Sequence, residues 1–192
     1  MLSSGNVRRS SFGVRGRWAA GITPRNLSWI IADHIAISER PGGYAPNHRK
    51  VRRQEEILWL KAQGFSRILS LLPSPHNLHV YDEFNMPWVH FAITTTEELR
   101  VGLGQIYNLL ATWLKDGDKV LVHEEELSDQ LIGIMAGFLL WAGFLPTGPE
   151  AITVTERLVS RKLNNAGRSV VAMIPNIAPP EAPIKVGHKG FS

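Results

Sequence analysis

The residues of this sequence best suited to catalysis or ligand binding form an acidic run after a buried strand. The apolar segment 119–123 ends in His123, and Glu124, Glu125 and Glu126 follow it directly. A carboxylate beside an imidazole can act as a general acid or base, and clustered carboxylates can bind Mg²⁺ or Ca²⁺. The zinc-protease motif H-E-x-x-H is excluded, because Leu127 stands in the place of its second histidine.

Three uses of this acidic loop stay open. The carboxylates can stabilise the start of the following helix, with Ser128 or Asp129 as its N-cap, through the helix macrodipole. They can also dock an arginine or lysine, either from a partner or from the chain's own basic arm. A divalent cation site is the third use. We favour the first, and we expect neither a cofactor nor a bound metal.

The absence of cysteine and the setting of a histidine pair narrow the possible chemistry further. The chain has no cysteine, which excludes disulfides, thiolate metal sites and a cysteine nucleophile. His76 and His79, with Asp82 and Glu83 nearby, could ligate a metal, but the turn-prone segment around them is more typical of a solvated loop.

The positive charge of the chain is concentrated outside its central part. The net charge is +4, yet residues 1–25 contain five arginines and no acid, and residues 175–192 contribute one further positive charge. Residues 26–174 therefore carry a net charge of −2. The candidates for partner binding in the basic first segment are Arg8, Arg9, Arg15, Arg17 and Trp18.

A second basic cluster comprises Arg49, Lys50, Arg52 and Arg53. The cluster can be a solvated helix start that pairs with Glu55 and Glu56, or part of a surface for an anionic partner.

Periodicity predicts strands that alternate with helices. Strands are expected at 26–31, 67–72, 86–93 and 119–123, and amphipathic helices at 50–63 and 149–163. The first helix should turn Ile57, Leu58 and Leu60 inward, and the second carries Ile152, Leu158 and Val159. A helix from Thr94-Thr95-Thr96 to Asp116 has two overlapping capping boxes, and 131–145 is apolar nearly all round, as in a central core helix.

This alternation predicts an α/β layered domain with a central, mostly parallel sheet flanked by helices. We expect a basic arm at 1–25, the folded domain at 26–174 and an extended, Pro-rich tail at 175–192. Ligands gather at the carboxyl ends of parallel strands, so the segment after Val122 is where a site is expected.

The run KVLVHEEELSDQLIGIMAGFLLWAG resembles the signature of the cysteine-dependent tyrosine and dual-specificity phosphatases. In that family a V-L-V-H-like strand precedes C-x-x-G-x-x-R and a buried helix. The order and spacing of residues 26–170 resemble the family as well, including Ser38-Glu-Arg-Pro41 after the first strand and the segment Pro87–Ile93 before the acid loop.

The resemblance implies a degenerate catalytic site. The position of the catalytic cysteine holds Glu124, the position of the arginine holds Gln130, and the loop glycine is replaced by Leu127. At the position of the general-acid loop stand Thr94, Thr95 and Thr96. His123 alone is retained.

We therefore expect a pseudophosphatase, a protein-binding or scaffold module held in an assembly by its tails. A hydrolase that uses Glu124 with His123 or a metal is one alternative, and binding of nucleic acid or an anionic membrane through the basic arm is another. Glu125 and Glu126 are further candidates for partner contacts. We expect no transmembrane segment, and a cytoplasmic location, or a mitochondrial one if the Arg/Ser-rich first segment is a transit peptide.

Overall fold

The computed structural model describes residues 21–43 and 50–187, which contain a five-stranded sheet with helices on both faces. The strands are β1 Ser28–Ile31, β2 Ile35–Glu39, β3 Arg67–Ser70, β4 Trp88–His90 and β5 Val120–Glu124. The helices are α1 Lys50–Ala62, α2 Val80–Glu83, α3 Thr96–Lys115, α4 Asp129–Trp141, α5 Gly148–Leu158 and α6 Asn165–Met173, and the 3₁₀ turn Ile174–Asn176 follows. The predicted α/β class is confirmed.

The sheet brings four strand ends to one edge. Its order is β1-β2-β5-β3-β4, with β1 antiparallel to β2 and the other three pairings parallel. His123 on β5 pairs in register with Ser38 on β2 and with Ser70 on β3. The chemistry-bearing loop after β5 therefore lies between the carboxyl ends of its two neighbouring strands, where the alternation of elements predicted a site.

Two apolar clusters cover the two faces of the sheet. On one face, Ala36, Ile68 and Leu121 pack with residues of α1 and α2, such as Ile57 and Tyr81. The other face packs against α3 to α6 and forms the larger cluster. Successive residues of a strand point to opposite faces, so the neighbours His123 and Glu124 enter different environments.

Helix α4 lies in the larger cluster and is buried nearly all round, as its apolar sequence predicts. Gly133 permits close contact with α6, because a Cβ there would lie 2.5 Å from the carbonyl oxygen of Gly167. Tyr107 on α3 donates its hydroxyl to the carbonyl of Ile134 at 2.9 Å. These contacts hold the helix that begins directly after the acidic loop.

The N-terminus of α3 confirms the capping signal. Thr95 is the N-cap, its side chain accepts a hydrogen bond from the Glu98 N–H at 3.1 Å, and the Glu98 carboxylate accepts from the Thr95 N–H. The apolar stripe of this helix, from Leu99 to Trp113, is buried.

Several elements differ from the expectation. Strand β2 and the helices α2 and α6 were not predicted, and α2 lies in the segment that was expected to be a solvated loop. The inward faces of two amphipathic helices were partly wrong: Leu58 is 45% exposed and Leu158 is 42% exposed. In α5 the buried positions are Ala151, Thr155 and Glu156, whereas the predicted Val159 is buried just after the helix and Ile152 is partly buried.

The two segments that flank the domain contact it. Ile22 donates its N–H to the carbonyl of Glu55 on α1 at 3.2 Å. In the C-terminal segment 177–187, Trp141 donates its indole N–H to the carbonyl of Ala178 at 2.7 Å, and the Gly187 N–H donates to the carbonyl of Leu114 at 2.8 Å. The segment has no helix or strand, but Ile184 packs against the larger cluster.

Candidate functional site

The acidic loop connects the end of β5 to the first turn of α4. Strand β5 is buried along its whole length, and Ser128 ends the loop as the N-cap of α4 by accepting the Leu131 N–H at 3.0 Å. The positive end of the helix macrodipole faces the loop, which favours carboxylates there. The capping use expected from the sequence is therefore present in the structure.

Glu124 is held by hydrogen bonds from its own loop. Its carboxylate accepts hydrogen bonds from the Ser128 hydroxyl and, at 3.1 Å, from the side-chain amide of Gln130. The residue is only 9% exposed. Burial raises the pKa of the Glu124 carboxyl above its ordinary value, and the two hydrogen bonds partly offset that shift. The residues at the expected cysteine and arginine positions thus bind each other.

His123 faces the opposite side of the sheet. Its Nε2 is hydrogen-bonded to the hydroxyl of Tyr81 on α2 at 3.0 Å. Burial, followed by the positive charge of Arg40, lowers the pKa of His123 to about 3, so the ring is neutral near pH 7. The His123 ring and the Glu124 carboxylate do not form a hydrogen-bonded pair, since the two side chains enter opposite faces of the sheet.

Glu125 pairs with Arg40, which follows β2 at the same edge of the sheet. The Nη1 atom of Arg40 lies 2.8 Å from one carboxylate oxygen and 3.2 Å from the other. Arg40 also donates Nη2 to the carbonyl of His76. The sequence reasoning missed this arginine, because its significance depends on β2, which was not recognised. Glu126 is exposed.

The end of the loop is bound to the segment after α5. The Asp129 carboxylate accepts hydrogen bonds from the Arg161 guanidinium and, at 2.9 Å, from the Asn164 N–H. Arg161 also donates to the carbonyl of Leu127 at 2.5 Å. The Leu127 side chain is half-buried and packs against the larger apolar cluster, so it helps to close the loop.

The three threonines at the expected acid-loop position serve the start of α3. The Glu98 carboxylate accepts hydrogen bonds from the Thr94 N–H at 2.7 Å and the Thr94 hydroxyl at 2.6 Å. These bonds, the hydroxyl first, lower the pKa of Glu98. The polar groups of Thr94 and Thr95 are thus used in a cap, and Thr96 begins the helix.

The basic cluster is not one exposed patch. Lys50 is exposed, and Arg52 pairs with Glu56 through Nε at 2.7 Å. Arg53, expected among the partner-binding residues, is only 7% exposed. The remaining basic candidates and the aromatic one lie outside the described residues: Arg8, Arg9, Arg15, Arg17, Trp18 and Arg49.

Within residues 21–43 and 50–187, no three His, Asp or Glu side chains are grouped closely enough to hold a metal ion. His76 and His79 are exposed. Over the same residues, no helix combines the length and the hydropathy that crossing a bilayer requires.

Comparison with known proteins extends the description of the fold. No protein-family model and no curated protein sequence matches the chain. A kinase-associated phosphatase with serine in place of its catalytic cysteine superposes with a TM-score of 0.66 at 18% identity, covering 80% of this chain and 96% of that one. Tk-PTP in its active form gives 0.59 at 16% identity, covering 79% and 97% of the two chains.

A leucine-rich-repeat and phosphatase-domain protein from Entamoeba histolytica gives a TM-score of 0.57 at 11% identity, covering 78% of this chain and 90% of that one. Similarity at these identities establishes the fold. The chain has the fold of the tyrosine and dual-specificity phosphatases, which confirms the resemblance seen in the sequence.

Proposed function

We propose that this chain is a non-catalytic phosphatase-like module that binds partners rather than hydrolysing phosphate esters. The observation that carries the proposal is the hydrogen bonding of Glu124 by Ser128 and Gln130. A nucleophile and an anion clamp would have to face a substrate, whereas these side chains satisfy each other.

The requirements of thiol-dependent phosphoryl transfer also support the proposal that the chain is non-catalytic. That chemistry needs a thiolate nucleophile, a guanidinium to hold the phosphoryl oxygens and an acid to protonate the leaving group. The chain has no cysteine at all. Gln130 is uncharged, and the Thr94 hydroxyl is bound to Glu98.

The charge of the loop disfavours a phosphate there. Two like unit charges about 4 Å apart repel by about 1 kcal/mol in water and about 4 kcal/mol at an effective dielectric of 20. Arg40 offsets Glu125 and Arg161 offsets Asp129, but Glu126 and any ionised Glu124 remain. A dianion entering the loop would meet these charges without an arginine of the loop to bind it.

The contacts of His123 argue against the alternative of a hydrolase that uses Glu124 with His123. A Glu124–His123 dyad would need the imidazole on the side of the loop carboxylate, but His123 is bonded to Tyr81 on the other face. The low pKa of His123 also removes its capacity to donate a proton near neutral pH.

In this proposal the basic arm at 1–25 and the exposed Glu126 contact the partners of the assembly. Two measurements test the proposal. Turnover of phosphate esters above that of a Glu124→Ala variant would refute the absence of catalysis. Affinity capture with the full chain, compared with a chain lacking residues 1–20, tests the arm, and a partner retained equally by both would count against its role.

A further inference from the structure

Arg53 is a buried cation that forms no ion pair with any residue the structure describes. It lies on α1, is 7% exposed, and its Nε atom has no hydrogen-bond partner. Among the described residues no carboxylate lies within 4.0 Å of its guanidinium. The neighbouring Arg52, by contrast, pairs with Glu56 at 2.7 Å.

The missing carboxylate is not hidden in the remainder of the chain. Residues 1–20, 44–49 and 188–192 contain no aspartate or glutamate, so every acidic side chain belongs to the described residues. Glu83 acts on Arg53 only through space, and it is itself exposed. No acidic side chain of this chain therefore neutralises Arg53 by direct contact.

A second guanidinium makes this environment more positive. Arg40 is also buried, and its charge, after desolvation, lowers the pKa of Arg53. Tyr81, whose hydroxyl is bonded to His123, lies in the same region, on the α1 and α2 side of the sheet. Arg40 directly follows β2, which pairs with β5, and Arg53 lies on α1, which packs on the face opposite to the Glu124 side chain.

Burying an unpaired charge is costly unless an ion or hydrogen-bonding group compensates it. A phosphate dianion has the charge to offset two guanidinium groups, and the planar fork of arginine donates two parallel hydrogen bonds to its oxygens. The chemical class that fits this environment is therefore a phosphate-type oxyanion.

We propose that Arg53 and Arg40 form a binding site for a phosphate group, distinct from the position of the acidic loop where Glu124 and Gln130 bind each other. Glu125 takes part as a competitor, since its carboxylate already binds Nη1 of Arg40 at 2.8 Å. Its side chain is 37% exposed, so it can turn towards solvent when a phosphate binds Arg40. The site does not depend on whether the loop is catalytic.

The test is calorimetric titration of the full chain with inorganic phosphate, against chloride at matched ionic strength. Wild-type protein is expected to show saturable binding. The affinity of Arg53→Met should fall on the order of tenfold or more, as expected for the loss of charge-assisted hydrogen bonds. Arg53→Lys should be intermediate, because it keeps the charge and loses the fork. Arg100→Gln, which removes an exposed charge from α3, is the matched control and should bind as wild type.

A second variant distinguishes this site from general attraction to positive charge. Glu125→Gln frees Arg40 and should tighten phosphate binding about twofold to fivefold, in line with the modest strength of partly exposed ion pairs. Arg53→Met should also raise the thermal midpoint without phosphate, because it removes an uncompensated buried charge. Its stability therefore shows that weaker binding does not come from unfolding.

A third titration distinguishes a phosphorylated protein from free phosphate as the ligand. Phosphoserine and phosphotyrosine peptides that bind more tightly than inorganic phosphate, with the same loss in Arg53→Met, identify a phosphorylated protein as the ligand. Equal or weaker peptide binding identifies free phosphate. Wild-type protein without saturable phosphate binding, or Arg53→Met with wild-type affinity, overturns the proposal.

Discussion

The side-chain amide of Gln130 lies 3.1 Å from the carboxylate of Glu124 and donates a hydrogen bond to it. In the fold of this chain, the same two positions are where the sequence resemblance places a nucleophile and an anion clamp. Ser128 binds the other carboxylate oxygen and caps α4 at the same time. The loop is therefore a self-satisfied connection between β5 and α4, and its stability can be measured separately from any activity.

Replacing Glu124 with glutamine should stabilise the protein near neutral pH. The pKa of Glu124 is raised by burial, so ionising it costs more in the folded than in the unfolded state. The gain should be largest near neutral pH, where the carboxyl is ionised in both states. It should disappear as the pH falls below 4.5, where the carboxyl is protonated in both states. Urea denaturation of wild type and Glu124→Gln at pH 7 and pH 4 measures it.

Glu126→Gln is the control, because Glu126 is exposed in the same loop. Its effect should stay within about 0.5 kcal/mol at both pH values. A pH-independent effect of Glu124→Gln would contradict the assigned pKa shift.

Acid should destabilise the fold through His123 before most carboxylates titrate. The pKa of His123 is lowered from 6.5 to about 3, so between these values the unfolded state binds a proton that the folded state excludes. Stability should therefore fall by about 1.4 kcal/mol per pH unit below 6.5 from this residue alone. His123→Gln keeps a hydrogen-bonding group for Tyr81 and should flatten the slope between pH 6.5 and pH 5. An unchanged slope in that variant would refute the assignment.

The contact between α4 and α6 requires glycine at position 133. A Cβ there would lie 2.5 Å from the carbonyl oxygen of Gly167 and 2.8 Å from its Cα. Gly133→Ala should lower the free energy of unfolding by about 1–3 kcal/mol, the cost of overpacking. Gly104→Ala in α3 is the matched control, since its nearest contact would be an ordinary 3.7 Å. That change should be neutral or stabilising by up to about 1 kcal/mol, and equal effects at both positions would contradict this account.

The C-terminal segment should stabilise the domain that it contacts. Ile177 and Ile184 pack against the larger cluster, and Trp141 donates a hydrogen bond to Ala178. Ile184→Ser should therefore lower the free energy of unfolding by about 1 kcal/mol, since it exposes part of one aliphatic side chain. Lys185→Ser alters the neighbouring exposed position and should have little effect. Two variants of equal stability would show that the segment does not dock.

The long periodic elements could be predicted from the sequence because their burial patterns are repeated many times. Helix α3 has a capping box and a stripe from Leu99 to Trp113, and α4 is apolar on every face. Strand β2 and helix α6 were missed although the shorter strands β1, β3 and β4 were predicted, so length is not the reason. The burial of β2 comes from its pairing with β5, which lies far along the chain and leaves no local pattern.

The site was predictable in position but not in its contacts. The strand-to-helix order located the loop at Glu124, and the resemblance identified Gln130 and Leu127 as departures from the family pattern. The Arg40–Glu125 ion pair joins residues 85 apart, and the Tyr81–His123 bond joins residues 42 apart. No local pattern encodes such pairs. The burial of Arg53 was hidden in the same way, because its charge suggested an exposed patch.

The absence of catalysis is tested most directly by the hydrolysis rate of phosphoproteins, phospholipids and small phosphate esters with purified full-length protein. The assay should run between about pH 5 and 8, with and without divalent metal, since general acids and bases act near their pKa values. We predict that wild-type protein will release no more phosphate than Glu124→Ala at any pH. Turnover by wild type that disappears in Glu124→Ala would contradict the proposal and assign a different chemistry to the loop.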